Sequence, residues 1–310
     1  MRNAFADEIT RLGQEDPRVV LLSGDIGNKL FDKFKEHSEA RFLNCGVAEA
    51  NMMSVASGMA LSGLRPVVYT ITPFTTTRCF EQIRVDACYH EAPVTIVGTG
   101  SGLCYADLGP THHSLEDLAI LRTLPGMTVF APCDEIELRL GLRAALKQDG
   151  PLYMRIGKKG EPIIHKSPPA GFALGRAITL REGGDVCIIA AGTIMSEALA
   201  AADALGKAGV SARVESFHTI KPLDAARLAE VFKRHPLVAV VEEHGLIGGL
   251  GGAIAEWRAA QDGALARMIT FGTVDAFMHE VGSQEYARHK FGLIGDNIAG
   301  KVLGALGRAA

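Results

Sequence analysis

Short apolar runs alternate along this chain with longer stretches of helical periodicity. Val19-Val20-Leu21-Leu22, Pro66-Val67-Val68-Tyr69, Val94-Thr95-Ile96-Val97, Thr128-Val129-Phe130 and Leu152-Tyr153-Met154 have the length and β-branched content of strands. Helical patterns at 2–12, 49–61, 80–89, 115–121 and 135–147 fall around and between them. Continuous apolar strands alternating with helices predict a parallel sheet covered on both faces. Gly157-Lys158-Lys159-Gly160-Glu161-Pro162 and Lys166-Ser167-Pro168-Pro169-Ala170-Gly171 interrupt the pattern with charge and proline, which predicts an exposed linker. A second alternation follows, with strands at 186–190, 212–215, 237–241 and 268–271 and helices at 195–208, 225–232 and 251–260. The expectation is an α/β chain of two doubly wound domains, 1–165 and 172–310, with no sequence repeat between them.

One stretch stands out chemically. Phe42-Leu43-Asn44-Cys45 stops at Gly46, and Glu49 opens a helix in which Met52, Met53, Val55, Ala56, Met59 and Ala60 crowd nearly every face. That profile predicts a buried helix. A carboxylate at its start is tolerated by the helix dipole. From the residues alone, Glu49 is either a first-turn acid serving free backbone N–H groups or a functional group kept from water.

Composition narrows the classes. At 310 residues and 47% apolar content, two domains of ordinary size can each bury a core. A net charge of −3 offers no basic footprint, so nucleic acid is not an expected partner. Cys45, Cys79, Cys88, Cys104, Cys133 and Cys187 form no C-x-x-C pair, which points to reduced thiols and to neither a disulfide frame nor a zinc site. The adjacent His112 and His113 diverge, and no further ligands lie at zinc-like spacing. No apolar run has bilayer length and no signal core opens the chain, so a cytoplasmic protein without a membrane partner is expected.

Gly46-Val47-Ala48-Glu49-Ala50-Asn51 resembles the pyrimidine-domain motif of the transketolase family of thiamine diphosphate enzymes. The resemblance implies that Glu49 hydrogen-bonds the aminopyrimidine ring of the cofactor and favours its imino tautomer, work that needs a desolvated carboxyl group. Ser23-Gly24-Asp25-Ile26-Gly27 looks like the family's interface loop, which implies Asp25 near the cofactor and Lys29 near a substrate phosphate. Thr70 to Arg78 resembles the segment whose aromatic rings stack on the pyrimidine; Phe74 matches one ring, while Ile71 and Thr77 stand where transketolases often carry others. Gly109-Pro110-Thr111-His112 looks like the substrate-channel motif, with His112 on the donor's oxygen atoms. Leu108 stands where the family carries an aspartate before this glycine, with Asp107 one residue earlier, so either the loop is shifted by one residue or that substrate contact is absent. A second channel histidine is replaced near Gly100. These departures put the usual pentose phosphates in doubt. Arg155 matches a position that often binds substrate phosphate, with a structural ion pair as the alternative.

Ile220-Lys221-Pro222-Leu223-Asp224 and the stretch from Val241-Glu242-Glu243-His244 to Gly251-Gly252 resemble the family's C-terminal domain. Its glycines miss the dinucleotide fingerprint, because Ile254 stands at the last position, and are expected to serve tight strand-to-helix packing and an interface loop. The Gly-Asp-Gly segment that holds magnesium and the diphosphate in the family is missing. The resemblance therefore implies the C-terminal subunit of a split enzyme, with thiamine diphosphate shared with an N-terminal partner subunit, Mg2+ held by that partner, and two copies of each chain. The implied reaction moves a two-carbon ketol unit from a ketose, a sugar or sugar phosphate, to an aldehyde. The nearest competitor is the β subunit of a 2-oxo acid dehydrogenase, or another decarboxylating thiamine diphosphate enzyme; outside the superfamily stands a nucleotide-binding or regulatory α/β protein.

Overall fold

The apolar runs become two sheets in a computed structural model that describes residues 1–27 and 29–308. The strands are β1 (Val19–Ser23), β2 (Phe42–Asn44), β3 (Arg65–Ile71), β4 (Thr95–Thr99), β5 (Thr128–Phe130), β6 (Leu152–Ile156), β7 (Ile178–Arg181), β8 (Val186–Ala190), β9 (Ala212–Ser216), β10 (Thr219–Lys221), β11 (Leu237–Gly245) and β12 (Arg267–Thr273). The first sheet runs β10-β5-β6-β4-β3-β1-β2 and the second β12-β11-β8-β9-β7. Pairing is parallel throughout except at one edge of each sheet, where β10 meets β5 and β7 meets β9 antiparallel.

Alternation along each strand divides its side chains between two faces. Val19 and Leu21 pack with Phe5 and Ile9 of the first helix and with Leu138 and Leu142 of helix Glu135–Ala145. Val20 and Leu22 pack on the opposite side with Met52, Met53 and Ala56 of helix Glu49–Leu61. Each such side chain contributes about 1.5–3 kcal/mol by leaving water. The second of these cores does not stop at the first sheet. It continues through Phe217 and Ile220 to Cys187, Ile189, Val238 and Val240 of the second. The far face of the second sheet is covered by helices Met195–Lys207 and Gly295–Ala305.

Four features differ from the sequence expectation. Helix Glu49–Leu61 is not enclosed: Val55 and Leu61 are 36% and 59% exposed along one side, beside exposed Asn51 and Ser54, and Val47 in the preceding turn is 77% exposed. The stretch 80–89 is a short α-helical turn, Phe80–Gln82, that widens into a π-helix over Ile83–Tyr89. The linker is exposed at Ile163 and Lys166 but pinned where His165 is buried against Asp134 and where Phe172 stacks on His218 at 4.9 Å. Strand β10 belongs to the second half of the chain yet completes the edge of the first sheet.

The glycine run does serve close packing. Both oxygens of the buried Glu242 carboxylate accept N–H groups at the start of helix Leu250–Ala259, from Leu250 at 2.7 Å and Gly251 at 2.9 Å. A Cβ on Gly249 would lie 2.1 Å from the same carboxylate. Burial pushes the Glu242 carboxyl group above its ordinary range, with the two N–H groups and His244 opposing. Among the described residues no helix is long and apolar enough to cross a membrane.

Candidate active site

The site is assembled at the ends of β1, β3 and β4, where parallel sheets present their ligand-binding loops. After β2, Gly46 adopts φ 64°, a left-handed conformation that glycine enters without strain, and its N–H is held by the Asn44 side chain at 2.9 Å. The chain then turns directly into the helix that starts at Glu49. Asp25, exposed at the end of β1, donates its N–H to the Gly46 carbonyl at 3.0 Å and accepts from Asn44 Nδ2 at 3.3 Å. Asp25 therefore borders the turn that presents Glu49. Lys29 is exposed in the following turn and takes no part, among the described residues, in the group described next.

Glu49 is 3% exposed, and Arg78 Nη1 donates to its carboxylate at 2.9 Å. The Arg78 guanidinium also lies over the Phe74 ring, 4.0 Å from the centroid, a cation–π arrangement. Phe74 sits in the short turn Thr72–Thr75 that follows β3, and its ring meets His112 at 5.3 Å and 67°. Ile71 ends β3 beside Thr99 and is 9% exposed, so it backs the turn. Cys79, next to Arg78, gives its thiol to the Thr75 carbonyl; burial pushes it up to about 12, which keeps it a thiol.

His112 is placed by the Gly109 turn, whose carbonyl accepts the His112 N–H at 3.0 Å, and its Nδ1 lies 2.9 Å from the Thr111 hydroxyl. Tyr105 packs edge-on to His112 at 6.0 Å, and Lys158 Nζ lies over the Tyr105 ring at 4.1 Å. Leu108 stands 49% exposed in the same loop, while Asp107 turns towards Lys158 at 4.0 Å. At Gly100 φ is 72° and a Cβ would fall 1.9 Å from the Tyr105 ring. The Tyr105 ring fills the space beside Gly100.

Arg155 lies elsewhere than on an open substrate surface. It is 3% exposed, its Nε donates to Asp117 at 2.7 Å, and its Nη2 donates to the carbonyls of Ser114 and Glu243, each at 2.9 Å. Asp117 also accepts the Tyr153 hydroxyl at 2.6 Å. Burial pushes the Asp117 carboxyl group up, and the Arg155 guanidinium outweighs this to hold it below the ordinary range. The structural ion pair is what this arginine makes, because its Nε is committed to Asp117 and its Nη2 to the loop after His113 and to strand β11.

The second domain supports the site from behind. Glu243 accepts the Leu103 N–H at 2.7 Å and also takes Gln284 and Arg288, which fixes the loop carrying Tyr105. A cleft of about 430 Å³ opens between the domains on the other side of the same loop, lined by His113, Leu115, Leu246 and Phe277 among others. Cys133, Glu137 and His165 bring possible metal-ligating atoms within 4.8 Å of one another. The Glu137 oxygens already accept Cys133 N–H and Ser216 Oγ–H, each at 2.7 Å, and His165 Nδ1 is 3.1 Å from Asp134. That group reads as ties between a helix start, the linker and the second sheet.

Sequence reasoning missed Arg78, Tyr105, Lys158 and Glu243. For Arg78 a signal was present, since it stands four residues after Phe74, the spacing of neighbours on a helical face. Tyr105 and Glu243 reach the site through loop and domain packing that no local pattern announces.

The Arg78 guanidinium thus joins the Glu49 carboxylate to the Phe74 face. The family description "Transketolase, pyrimidine binding domain" matches residues 1–161, and "Transketolase, C-terminal domain" matches 175–298. The chain is 36% identical over 299 residues to the 6-deoxy-6-sulfo-D-fructose transketolase subunit of Clostridium sp. (strain MSTE9), covering 96% of this chain and 92% of that one. It is 34% identical over 302 residues to 1-deoxy-D-xylulose-5-phosphate synthase of Syntrophotalea carbinolica (strain DSM 2380 / NBRC 103641 / GraBd1), covering 96% of this chain and 47% of the synthase. A split-gene transketolase, solved as an inactive beta4 tetramer, superposes with a TM-score of 0.90 at 35% identity, covering 100% of this chain and 99% of that chain. With its two matched domains, the chain belongs to the transketolase family, whose members depend on thiamine diphosphate.

Proposed function

We propose that this chain is the pyrimidine-binding subunit of a two-chain transketolase, which transfers a two-carbon ketol unit from a ketose to an aldehyde. The observation that carries the reading is the convergence of Glu49, Phe74 and His112 in a chain that covers 92% of a transketolase subunit, so the family's Gly-Asp-Gly segment is expected on a partner. A partner bringing that segment would hold the diphosphate and Mg2+. The cofactor, when bound, supplies the electron sink for making and breaking a bond beside a carbonyl carbon. This chain's residues would do the rest. Glu49 would share a proton with the pyrimidine ring from a site closed to water, and Phe74 would fix the plane of that ring. His112 would orient the donor's oxygen atoms from the Gly109 turn, and Asp25 would border the ring through Asn44 and Gly46.

Lys29 remains a proposed contact for an anionic group on the substrate. Arg155 is better understood as support for the loop that carries His112. Assembly is proposed through the uncovered side of helix Glu49–Leu61 and through the apolar rim of the interdomain cleft, where Ile247, Val274 and Phe277 are 71%, 57% and 70% exposed. Contiguous exposed side chains of this size are characteristic of interaction surfaces.

A second reading, decarboxylation of a 2-oxo acid before transfer, is kept open by the similarity to a 1-deoxy-D-xylulose-5-phosphate synthase. The deciding experiment recovers the complex from its own cells, identifies its chains and cofactor by native mass spectrometry, and assays it with ketose phosphates, sulfonated ketoses and pyruvate. A second chain, bound thiamine diphosphate and ketol transfer without release of carbon dioxide support the first reading. Carbon dioxide release from pyruvate supports the second. A homodimer that never retains the cofactor sinks both.

A further inference from the structure

Arg78 makes two contacts at once, and both are contacts that the proposed cofactor ring needs. Its Nη1 is 2.9 Å from Glu49 Oε2, and its guanidinium carbon lies over the Phe74 ring, 4.0 Å from the centroid. A guanidinium is flat, delocalised and rich in N–H donors, so it resembles an aminopyrimidine in shape and in what it offers a carboxylate. Glu49 is buried, whereas the Arg78 side chain is 42% exposed. The carboxylate is fixed at the start of a regular helix, and the arginine approaches it from the solvent side.

The backbone around Arg78 permits exchange. Thr77–Cys79 is a single 3-10 turn, Phe80–Gln82 one α-helical turn and Ile83–Tyr89 a π-helix, so no continuous α-helical ladder holds the arginine in place. Its neighbours are anchored independently: the Cys79 thiol bonds to the Thr75 carbonyl at 3.1 Å, and the Thr76 hydroxyl to the Thr72 carbonyl at 2.7 Å. The side chain can leave while the turn that carries Phe74 stays.

We propose that Arg78 occupies the pyrimidine site of this chain and is exchanged for the cofactor ring, its guanidinium standing on Glu49 and Phe74 until the ring displaces it. The inference rests on the functional reading above and adds a competitor that belongs to the protein itself. Cofactor affinity is then set by the difference between ring and guanidinium on the same two groups. The exchange also keeps the Glu49 carboxylate paired before the cofactor arrives, which avoids an uncompensated buried charge.

The test measures thiamine diphosphate binding by isothermal titration calorimetry, with Mg2+, to the two-chain complex stripped of cofactor. Arg78→Ala is expected to bind roughly tenfold more tightly than the unmodified complex, the combined worth of a half-exposed ion pair and a cation–π contact. Millimolar guanidinium is expected to weaken binding to Arg78→Ala by competing for the emptied place, with little effect on the unmodified complex. Arg78→Lys, which keeps the ion pair but not the flat group, should fall between them. Equal or weaker binding by Arg78→Ala, or no competition by guanidinium, overturns the exchange while leaving the cofactor site in place. An unmodified complex that binds no thiamine diphosphate overturns the functional reading and the exchange with it.

Discussion

Arg155 and Asp117 form an ion pair at 2.7 Å in which both side chains are almost wholly buried, 2% and 1% exposed. The pair joins β6 to the helix that follows the His112 loop, and through the Glu243 carbonyl it also grips the second domain. Removing one partner leaves the other charged and buried without its counter-ion. Arg155→Met should therefore cost about 3–5 kcal/mol of stability, read as a lowered urea midpoint. An unchanged midpoint with a raised KM for a phosphorylated sugar would return Arg155 to the substrate.

Glu49→Gln keeps shape and removes the group that can share a proton. Because Gln can still accept a hydrogen bond from Arg78, the fold should survive with little change in melting temperature. Turnover by the assembled enzyme should fall by roughly 10²–10⁴-fold, the range of general acid–base contributions. Near-normal turnover in a variant confirmed by mass would remove Glu49 from the mechanism.

Much of this was legible in the sequence because it rests on local pattern. The strand runs needed only β-branched residues and alternation, and Glu49 announced itself by standing between a glycine turn and an apolar helix. What was not legible depends on contacts between distant segments. Strand β10 is three residues long and gains its place by completing another domain's sheet edge. Strand β7 is half-exposed along its length, so it shows no apolar run. The open side of helix Glu49–Leu61 was missed for a different reason: residues suited to an interface look like residues suited to a core. Arg155 was ambiguous because an arginine at a strand end serves an anion or an aspartate equally well, and only packing shows which.

Gly100 and Tyr105 are coupled. A side chain at 100 meets the tyrosine ring, and the positive φ adds a conformational cost. Gly100→Ala should destabilise by about 1–3 kcal/mol from overpacking and should disturb the ring that supports His112. In the double variant with Tyr105→Ala the effects should be clearly less than additive. Full additivity in thermal unfolding would mean that the two positions do not share the space described.

His218 gives the protein an acid sensitivity of definite sign. Burial between Phe130 and Phe172 pushes it from 6.5 down to about 4. A lowered histidine binds its proton more readily in the unfolded chain. Its contribution is therefore complete above about pH 6.5 and is lost as the pH falls from there to about 4. The loss is on the order of 3 kcal/mol from a shift of this size. His218→Phe, which cannot take a proton, should flatten that part of the curve of stability against pH. An unchanged slope between those limits would place the sensitivity elsewhere; the Asp134–His165 contact is not a substitute, because the raised His165 gains rather than loses stability as the pH falls.

Val55 tests the open side of the long helix. It is 36% exposed and flanked by exposed Asn51, Ser54 and Leu61, so a charge there stays in water within one chain. Glutamate is also a better helix former than valine, which leaves no intrachain reason for Val55→Glu to unfold. If this side is an assembly surface, the charge must be desolvated when a second chain docks, at a cost of several kcal/mol when unpaired. Val55→Glu should then sediment as a smaller species than the unmodified protein while retaining its circular dichroism and melting profile as a separated chain. The same mass for both proteins in analytical ultracentrifugation would move the interface off this helix and leave the apolar rim of the interdomain cleft as the surface to test.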